Sequence, residues 1–348
     1  MSSSSLLLAS SGDDQSSRHR HTASSTNIDN PSRFGIEPGT TIQEAYNVGV
    51  QALHEANVTE PEASLPQLLA VALDLDWETG YRRVMQEPLL RHALNQQQAE
   101  ILSQYVQRRL NHEPIQYILG QWDFLDYVVS IRPPLLCPRP ETEELVQLVL
   151  QDVKHSSTEE SIKILDIGCG TGVIGISLAD QLNGRARVHA IDIEPIAVET
   201  SRENAKRILG ENKDWYQCEL IPVAKYSLID QEEPFDMIIS NPPYIPSGDY
   251  IGLSPDVINF ESRDALEAGE DGLSVIREII ASMKRLCKPG APCWMEVDPT
   301  HPKLLKELLY SEKAAKEWGV TFMDSRKDMF GKDRFVKLQY SGDKTSGS

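Results

Sequence analysis

A strand, a glycine-rich turn and a helix in immediate succession constrain this chain more than any other feature. Ile162-Lys163-Ile164-Leu165 is an apolar run of strand length, and Asp166-Ile167-Gly168-Cys169-Gly170-Thr171-Gly172 closes it. Val173-Ile174-Gly175-Ile176-Ser177-Leu178-Ala179 then reads as a helix. This is the opening of a nucleotide-binding βαβ unit. Glycines let the backbone approach a ligand closely and adopt positive φ. The next strand, Arg187-Val188-His189-Ala190-Ile191, ends in Asp192, whose carboxylate can accept both hydroxyl protons of a ribose.

The loop alone leaves two cofactors open. Gly170, Gly172 and Gly175 satisfy GxGxxG, and Asp192 lies about 20 residues on, as in nicotinamide-dependent dehydrogenases. Asp166 and Gly168 extend the pattern upstream into an acidic-x-G-x-G-x-G form, which favours S-adenosylmethionine. On that reading Asp166, Gly168, Cys169, Gly170, Thr171, Gly172 and Asp192 hold the cofactor.

A second motif bears on the choice. Phe235-Asp236-Met237-Ile238-Ile239-Ser240 is a short apolar strand that runs into Asn241-Pro242-Pro243-Tyr244. Two prolines remove two backbone donors and fix two φ angles. The first proline also pushes Asn241 into extended backbone. What remains is a rigid cluster of acceptors, the Asn241 side-chain oxygen and a nearby carbonyl, beside the aromatic face of Tyr244. Such a cluster suits a flat NH2 group, and a dehydrogenase has no use for it.

The rest of the C-terminal half reads as a doubly wound α/β sheet. A helix is expected over 141–153, where Glu141 and Glu143 favour its N-terminus, and another over 195–209. Trp215-Tyr216-Gln217-Cys218 is a third strand ending at Glu219. Leu273, Ile276, Ile280, Met283 and Leu286 recur at helical spacing before a stop at Lys288-Pro289-Gly290. Cys293-Trp294-Met295-Glu296-Val297 is the next strand. Val320-Thr321-Phe322 and Arg334-Phe335-Val336-Lys337-Leu338 form a final antiparallel pair.

Five motifs in order carry a family resemblance. They are Glu113-Pro114-Ile115-Gln116-Tyr117-Ile118-Leu119-Gly120, Pro138-Arg139-Pro140-Glu141-Thr142-Glu143, the glycine loop, the Asn241 turn, and Phe260-Glu261-Ser262-Arg263. Over 40–340 the chain resembles the HemK/PrmC-type methyltransferases that modify the glutamine of the Gly-Gly-Gln motif in peptide chain release factors. Glu296-Val297-Asp298-Pro299-Thr300-His301-Pro302 is similar to the mitochondrial branch.

The resemblance implies a Rossmann-like S-adenosylmethionine-dependent methyltransferase fold with a small N-terminal helical domain. It implies methyl transfer to a glutamine side-chain nitrogen of a class 1 release factor, by a monomer. It implies Asn241, Pro242 and Tyr244 as catalytic residues, Asn241 to Tyr244 as the substrate turn, and Asn241 beside the cofactor as well. Arg139 and Thr142 are candidates for ordering the site. Glu261 and Arg263 brace the loop or pair with each other. Glu219 and Leu220 would hold adenine, although the commonest family pattern there is aspartate followed by an aromatic. The alternative is an amino-methyltransferase acting on adenine or cytosine, or on a protein lysine.

Charge bears on that alternative. The net charge is −18, from 34 basic and 52 acidic residues. Such a surface repels a phosphate backbone, so no stable nucleic-acid binding is expected. Five cysteines without a CxxC predict free thiols and no metal site. No apolar run approaches membrane-spanning length.

Composition divides the 348 residues. Residues 1–38 are Ser-rich with Arg18, Arg20 and Arg33, as in an organelle transit peptide or an unstructured tail. The expected location is the mitochondrion, with plastid and cytoplasm as alternatives. Residues 39–112 read as a helical bundle for substrate recognition: Thr41-Ile42-Gln43-Glu44 opens one helix, Leu65, Leu68, Leu69, Ala72 and Leu73 line a second, and 96–110 form a third. Residues 113–140 read as a strand-pair linker, 141–340 as the catalytic domain and 341–348 as a tail.

Overall fold

Thr41 starts the first helix as its sequence predicts. Its hydroxyl accepts from the Glu44 N–H at 3.3 Å, and the Glu44 carboxylate returns to the Thr41 N–H at 2.9 Å, a reciprocal cap. In the computed structural model, residues 35–155, 161–230, 233–310 and 317–342 are described. Most of the leading segment (1–34) and of the closing one (343–348) thus lies outside the described residues.

The N-terminal unit comprises α1 (Ile42–Glu55), α2 (Pro61–Ala72), α3 (Gly80–Arg83), α4 (Gln96–Leu110) and α5 (Ile115–Leu119). Asn95 caps α4 in the same reciprocal manner with Gln98. Leu65, Leu68, Leu69, Leu102 and Val106 are fully buried in a core of their own. Ile36, Ile115 and Ile118 belong to that core too. The unit therefore begins before residue 39 and extends past residue 112, because apolar side chains at both margins close its ends.

The linker contains the expected hairpin, β1 (Gln121–Phe124) against β2 (Tyr127–Ser130). Side chains from later helices hold it. Leu125 N–H donates to Glu143 at 2.9 Å, and Asn204 bonds both the N–H and the carbonyl of Ser130.

The catalytic half is one seven-stranded sheet in the order β5-β4-β3-β6-β7-β9-β8. Its strands are β3 (Ile162–Ile167), β4 (Ala186–Asp192), β5 (Tyr216–Leu220), β6 (Met237–Ser240), β7 (Pro292–Glu296), β8 (Val320–Lys327) and β9 (Asp333–Tyr340). The first five run parallel, and β9 is antiparallel to both β7 and β8. The central strands are apolar on both faces because helices cover both. Alpha-helices α6 (Pro140–His155), α7 (Val173–Gln181) and α8 (Pro195–Leu209) bury one face. On the other lie α9 (Val223–Tyr226), α11 (Ser274–Leu286) and α12 (His301–Tyr310). A short α10 (Pro255–Phe260) precedes α11 in the chain, and its Phe260 packs on the first core. Pairing of β8 with β9 shifts register twice, between Phe322 and Asp324 and between Arg326 and Lys327. The order of strands across the sheet reverses between β3 and β6, although the two run parallel. A crevice opens at the strand carboxyl ends there, the usual ligand position in such sheets.

Candidate active site

The crevice is a single cavity of about 350 Å³, within the roughly 300–1,000 Å³ of small-molecule sites. Ile167 to Thr171 of the glycine loop, Asp192, Thr142, Asn241 and Pro243 reach its wall, whereas Gly172, predicted to hold the cofactor, does not. The sheet thus brings the two sequence motifs, more than sixty residues apart, into one space.

The loop end is shaped by backbone. Gly168 and Gly170 have φ of +70° and +54°, where other residues are strained, and a Cβ on either would meet nothing within 4 Å. Below them Asp166 is fully buried and accepts the Gly175 N–H at 3.0 Å. Burial pushes its carboxyl up to about 7, against the pull of that bond. Asp166 does not reach the cavity; it supports the loop from beneath.

Asp192 ends β4 at the cavity wall. Its oxygens accept from the Gly170 N–H at 2.8 Å and the Glu194 N–H at 3.0 Å. Burial raises its pKa, and these backbone donors oppose the rise. Each oxygen keeps a further lone pair, which is what two ribose hydroxyls require. The open glycine cradle beside this fixed carboxylate fits S-adenosylmethionine. Asp192→Ala should weaken cofactor binding by about 1.5–3 kcal/mol, the scale of a hydrogen bond to a charged group. Calorimetry checks this, and unchanged affinity would remove Asp192 from the ribose.

The amide end is built from side chains. Asn241 follows β6, and its Nδ2 donates to Thr142 Oγ1 at 3.1 Å. Thr142, in the first turn of α6, donates its hydroxyl to Glu296 Oε2 at 2.8 Å. Glu296 ends β7, is 1% exposed and also accepts from the Tyr244 hydroxyl at 3.3 Å. Burial raises the Glu296 pKa, opposed by Thr142 and the nearby Arg334. Asn241 Oδ1 is buried and has no hydrogen-bond partner. The Pro242 carbonyl accepts no hydrogen bond from the described residues. An isolated buried acceptor costs about 1–3 kcal/mol, so its presence needs a reason.

Several sequence expectations change. Pro242 and Tyr244 do not line the cavity; Tyr244 packs against the core over α11, with its hydroxyl on Glu296. Glu219 and Leu220 also miss the wall. Strand alternation turns Glu219 toward His189, 3.4 Å away, and leaves Leu220 half exposed over α8. The Ile221 N–H donates to the Asp192 carbonyl at 2.9 Å and swings Ile221, Pro222 and Val223 onto the wall instead. Glu261 and Arg263 do not pair with each other. Glu261 binds Arg139 at 2.6 Å, and Arg263 binds Glu267. Cys169 lies on the wall, with its sulfur 3.5 Å from that of Cys218.

Sequence reasoning missed the role of Glu296 and the 221–223 wall. A carboxylate closing the apolar strand Cys293-Trp294-Met295 was the available signal for the first. Nothing in residues 221–223 marks them as a ligand wall.

Comparisons with known proteins bear on the fold and the family. A methyltransferase domain model matches residues 158–337, and a PrmC N-terminal domain model matches residues 44–120. The chain is 36% identical over 254 residues to the human MTRF1L release factor glutamine methyltransferase, covering 72% of this chain and 74% of that protein. Against the release factor glutamine methyltransferase of Geobacter sulfurreducens it is 36% identical over 248 residues, 71% of this chain and 79% of the other. The Bacillus cereus enzyme of the same name is 32% identical over 248 residues, 71% and 83%. Fold, crevice and domain match define an S-adenosylmethionine-dependent methyltransferase. Identity over that length places the chain in a particular branch of the class: it belongs to the release factor glutamine methyltransferase family.

Proposed function

We propose that this enzyme methylates the side-chain nitrogen of the Gly-Gly-Gln glutamine in a class 1 release factor. One observation carries the reading beyond family membership: the buried, unpartnered Oδ1 of Asn241, a residue of the cavity wall. Bound S-adenosylmethionine supplies an electrophilic sulfonium methyl. The difficulty lies with the nucleophile, because an amide nitrogen shares its lone pair with its carbonyl. Asn241 Oδ1 and the Pro242 carbonyl accept its two hydrogens, fix the nitrogen beside the loop and favour the positive charge that develops on it as the methyl's bond to sulfur breaks. The nitrogen then sheds one of those protons to solvent, and S-adenosylhomocysteine is the leaving group. Orientation and fixed acceptors are the catalytic terms. Pro243 walls the amide, and Tyr244 acts from behind by holding Glu296. The residues in these roles are a proposal, as is Asn241 serving cofactor and substrate together.

The test is incubation with labelled S-adenosylmethionine and candidate release factors, with DNA, RNA and lysine-bearing proteins alongside, followed by mass spectrometry. Label on the Gly-Gly-Gln glutamine supports the reading. Label confined to a nucleobase or a lysine would replace it.

The helical unit over 36–119 is the proposed recognition module for that protein substrate. Adding release factor should slow amide hydrogen exchange over 42–110; unchanged exchange there would make the unit a cap. The enzyme is proposed to act as a monomer in the mitochondrion. Imaging residues 1–34 fused to a fluorescent protein tests the location. Among the described residues, no helix is long and apolar enough to cross a membrane.

A further inference from the structure

Asn241 presents one chemical problem that its own position does not solve. The two ends of a carboxamide have nearly the same shape. Turned one way, Asn241 offers an oxygen to the substrate NH2. Turned the other way, it offers NH2 to NH2, and the substrate nitrogen loses its acceptor. Something must decide between two arrangements that packing barely distinguishes.

We infer that Glu296, acting through Thr142, sets the direction of the Asn241 carboxamide; this rests on the amide-gripping role assigned to Asn241 above. A hydroxyl has one proton. Thr142 donates that proton to Glu296 Oε2 at 2.8 Å, so toward Asn241 it has only lone pairs to offer. A lone pair accepts from Nδ2, at 3.1 Å, and repels Oδ1. The oxygen is thereby left without a partner in the protein, on a residue of the cavity wall.

Glu296 is suited to hold the far end. As a carboxylate it only accepts. The Tyr244 hydroxyl occupies its second oxygen, and at 1% exposure it is closed to water that might replace either bond. The chain of bonds therefore has one polarity, from Asn241 to Thr142 to Glu296, and elements far apart in sequence supply it. Glu296 touches neither the cavity wall nor the reacting atoms. It is a positioning residue.

A glutamine at 296 keeps the shape but adds a donor. The Thr142 hydroxyl can then receive a proton from residue 296 and turn its own toward Asn241 Oδ1, which reverses the carboxamide. Thr142→Val removes the hydroxyl and disconnects residue 296 from Asn241. Thr142→Ser keeps it.

The experiment is a double-mutant cycle on the full chain with a release factor as substrate. It measures kcat, KM and cofactor Kd, together with the Kd of a Gly-Gly-Gln peptide. Glu296→Gln and Thr142→Val should each lower kcat/KM for the release factor about 10- to 100-fold, the scale of an oriented hydrogen bond. Peptide affinity should fall in parallel, with cofactor Kd within about twofold. Thr142→Ser should recover most of the loss. The deciding result is in the Thr142→Val background, where Glu296→Gln should cost little more. An equal further loss there would overturn the inference, since Glu296 would then act by another route. A neutral Glu296→Gln single variant would overturn it as well. If Glu296→Gln misfolds by its melting curve, Tyr244→Phe loosens the same carboxylate from its other side and must show the same dependence on Thr142. Glutamine methylation by the wild-type enzyme separates failure of this relay from failure of the parent reading. Without that methylation both fall.

Discussion

Asn241→Ala is expected to lower methyl transfer by two or more orders of magnitude while leaving the fold and most cofactor affinity in place. Losing one fixed acceptor typically costs about 3–4 kcal/mol in comparable polar sites. The side chain makes a single hydrogen bond within the protein, to Thr142, so its removal disturbs little else. The proposed cofactor contacts are those of Gly168, Gly170 and Asp192, on the wall of the same cavity. Asn241→Asp is the sharper variant. It keeps an acceptor for the substrate but replaces Nδ2 with a second oxygen, which would face the lone pairs of Thr142. Asp should therefore be about as poor as Ala. Single-turnover rates with cofactor Kd measured in parallel decide the point. Near-wild-type turnover in the alanine variant would remove the amide-gripping role, because among the described residues no other side chain on the wall leaves a buried acceptor without a partner.

The second large effect is on stability. The Asp166 carboxyl is raised from an ordinary value near 3.8 to about 7, chiefly by burial and partly by the negative charge of Asp192. A carboxyl with a raised folded pKa binds its proton more tightly in the native chain than in the unfolded one. Its contribution is fully present below about pH 4, declines as pH rises, and is lost by about pH 7. At 1.36 kcal/mol per unit the full swing is about 4 kcal/mol at most. Asp166→Asn keeps an acceptor for the Gly175 N–H and cannot ionise. The difference in stability between the two proteins should therefore change with pH across that window. The asparagine variant should be the more stable above pH 7. Urea unfolding at several pH values isolates this difference, since other titrating groups are common to both chains. A difference that stays constant with pH would mean that Asp166 is not raised.

What the sequence disclosed follows the range over which each signal acts. Helices and strands were legible because their periodicity is local: 96–110 and 195–209 match α4 and α8. That Asp192 and Asn241 would meet at one cavity was legible because strand ends in a parallel sheet share one rim. Glu219 lies off the cavity wall because its direction depends on the alternation of β5 and on where the chain turns after it. Glu296 escaped notice because its meaning lies in Thr142 and Tyr244, which the fold brings from 154 and 52 positions away. The margins of the helical unit were misjudged for a similar reason, since Ile36 and Ile118 show their purpose only when packed.

The sheet's two borders have a consequence for how this enzyme keeps company. An open β-edge presents unpaired backbone groups and invites strand addition from any neighbouring chain. Here β5 is five residues long, with Gln217, Glu219 and Leu220 exposed along it. The opposite edge, β8, is bent by its two register shifts and carries Asp324, Arg326 and Lys327. Neither border is a flat template. A catalyst that must meet a protein partner repeatedly, and release it each time, thereby avoids the irreversible contact to which sheet proteins are most prone.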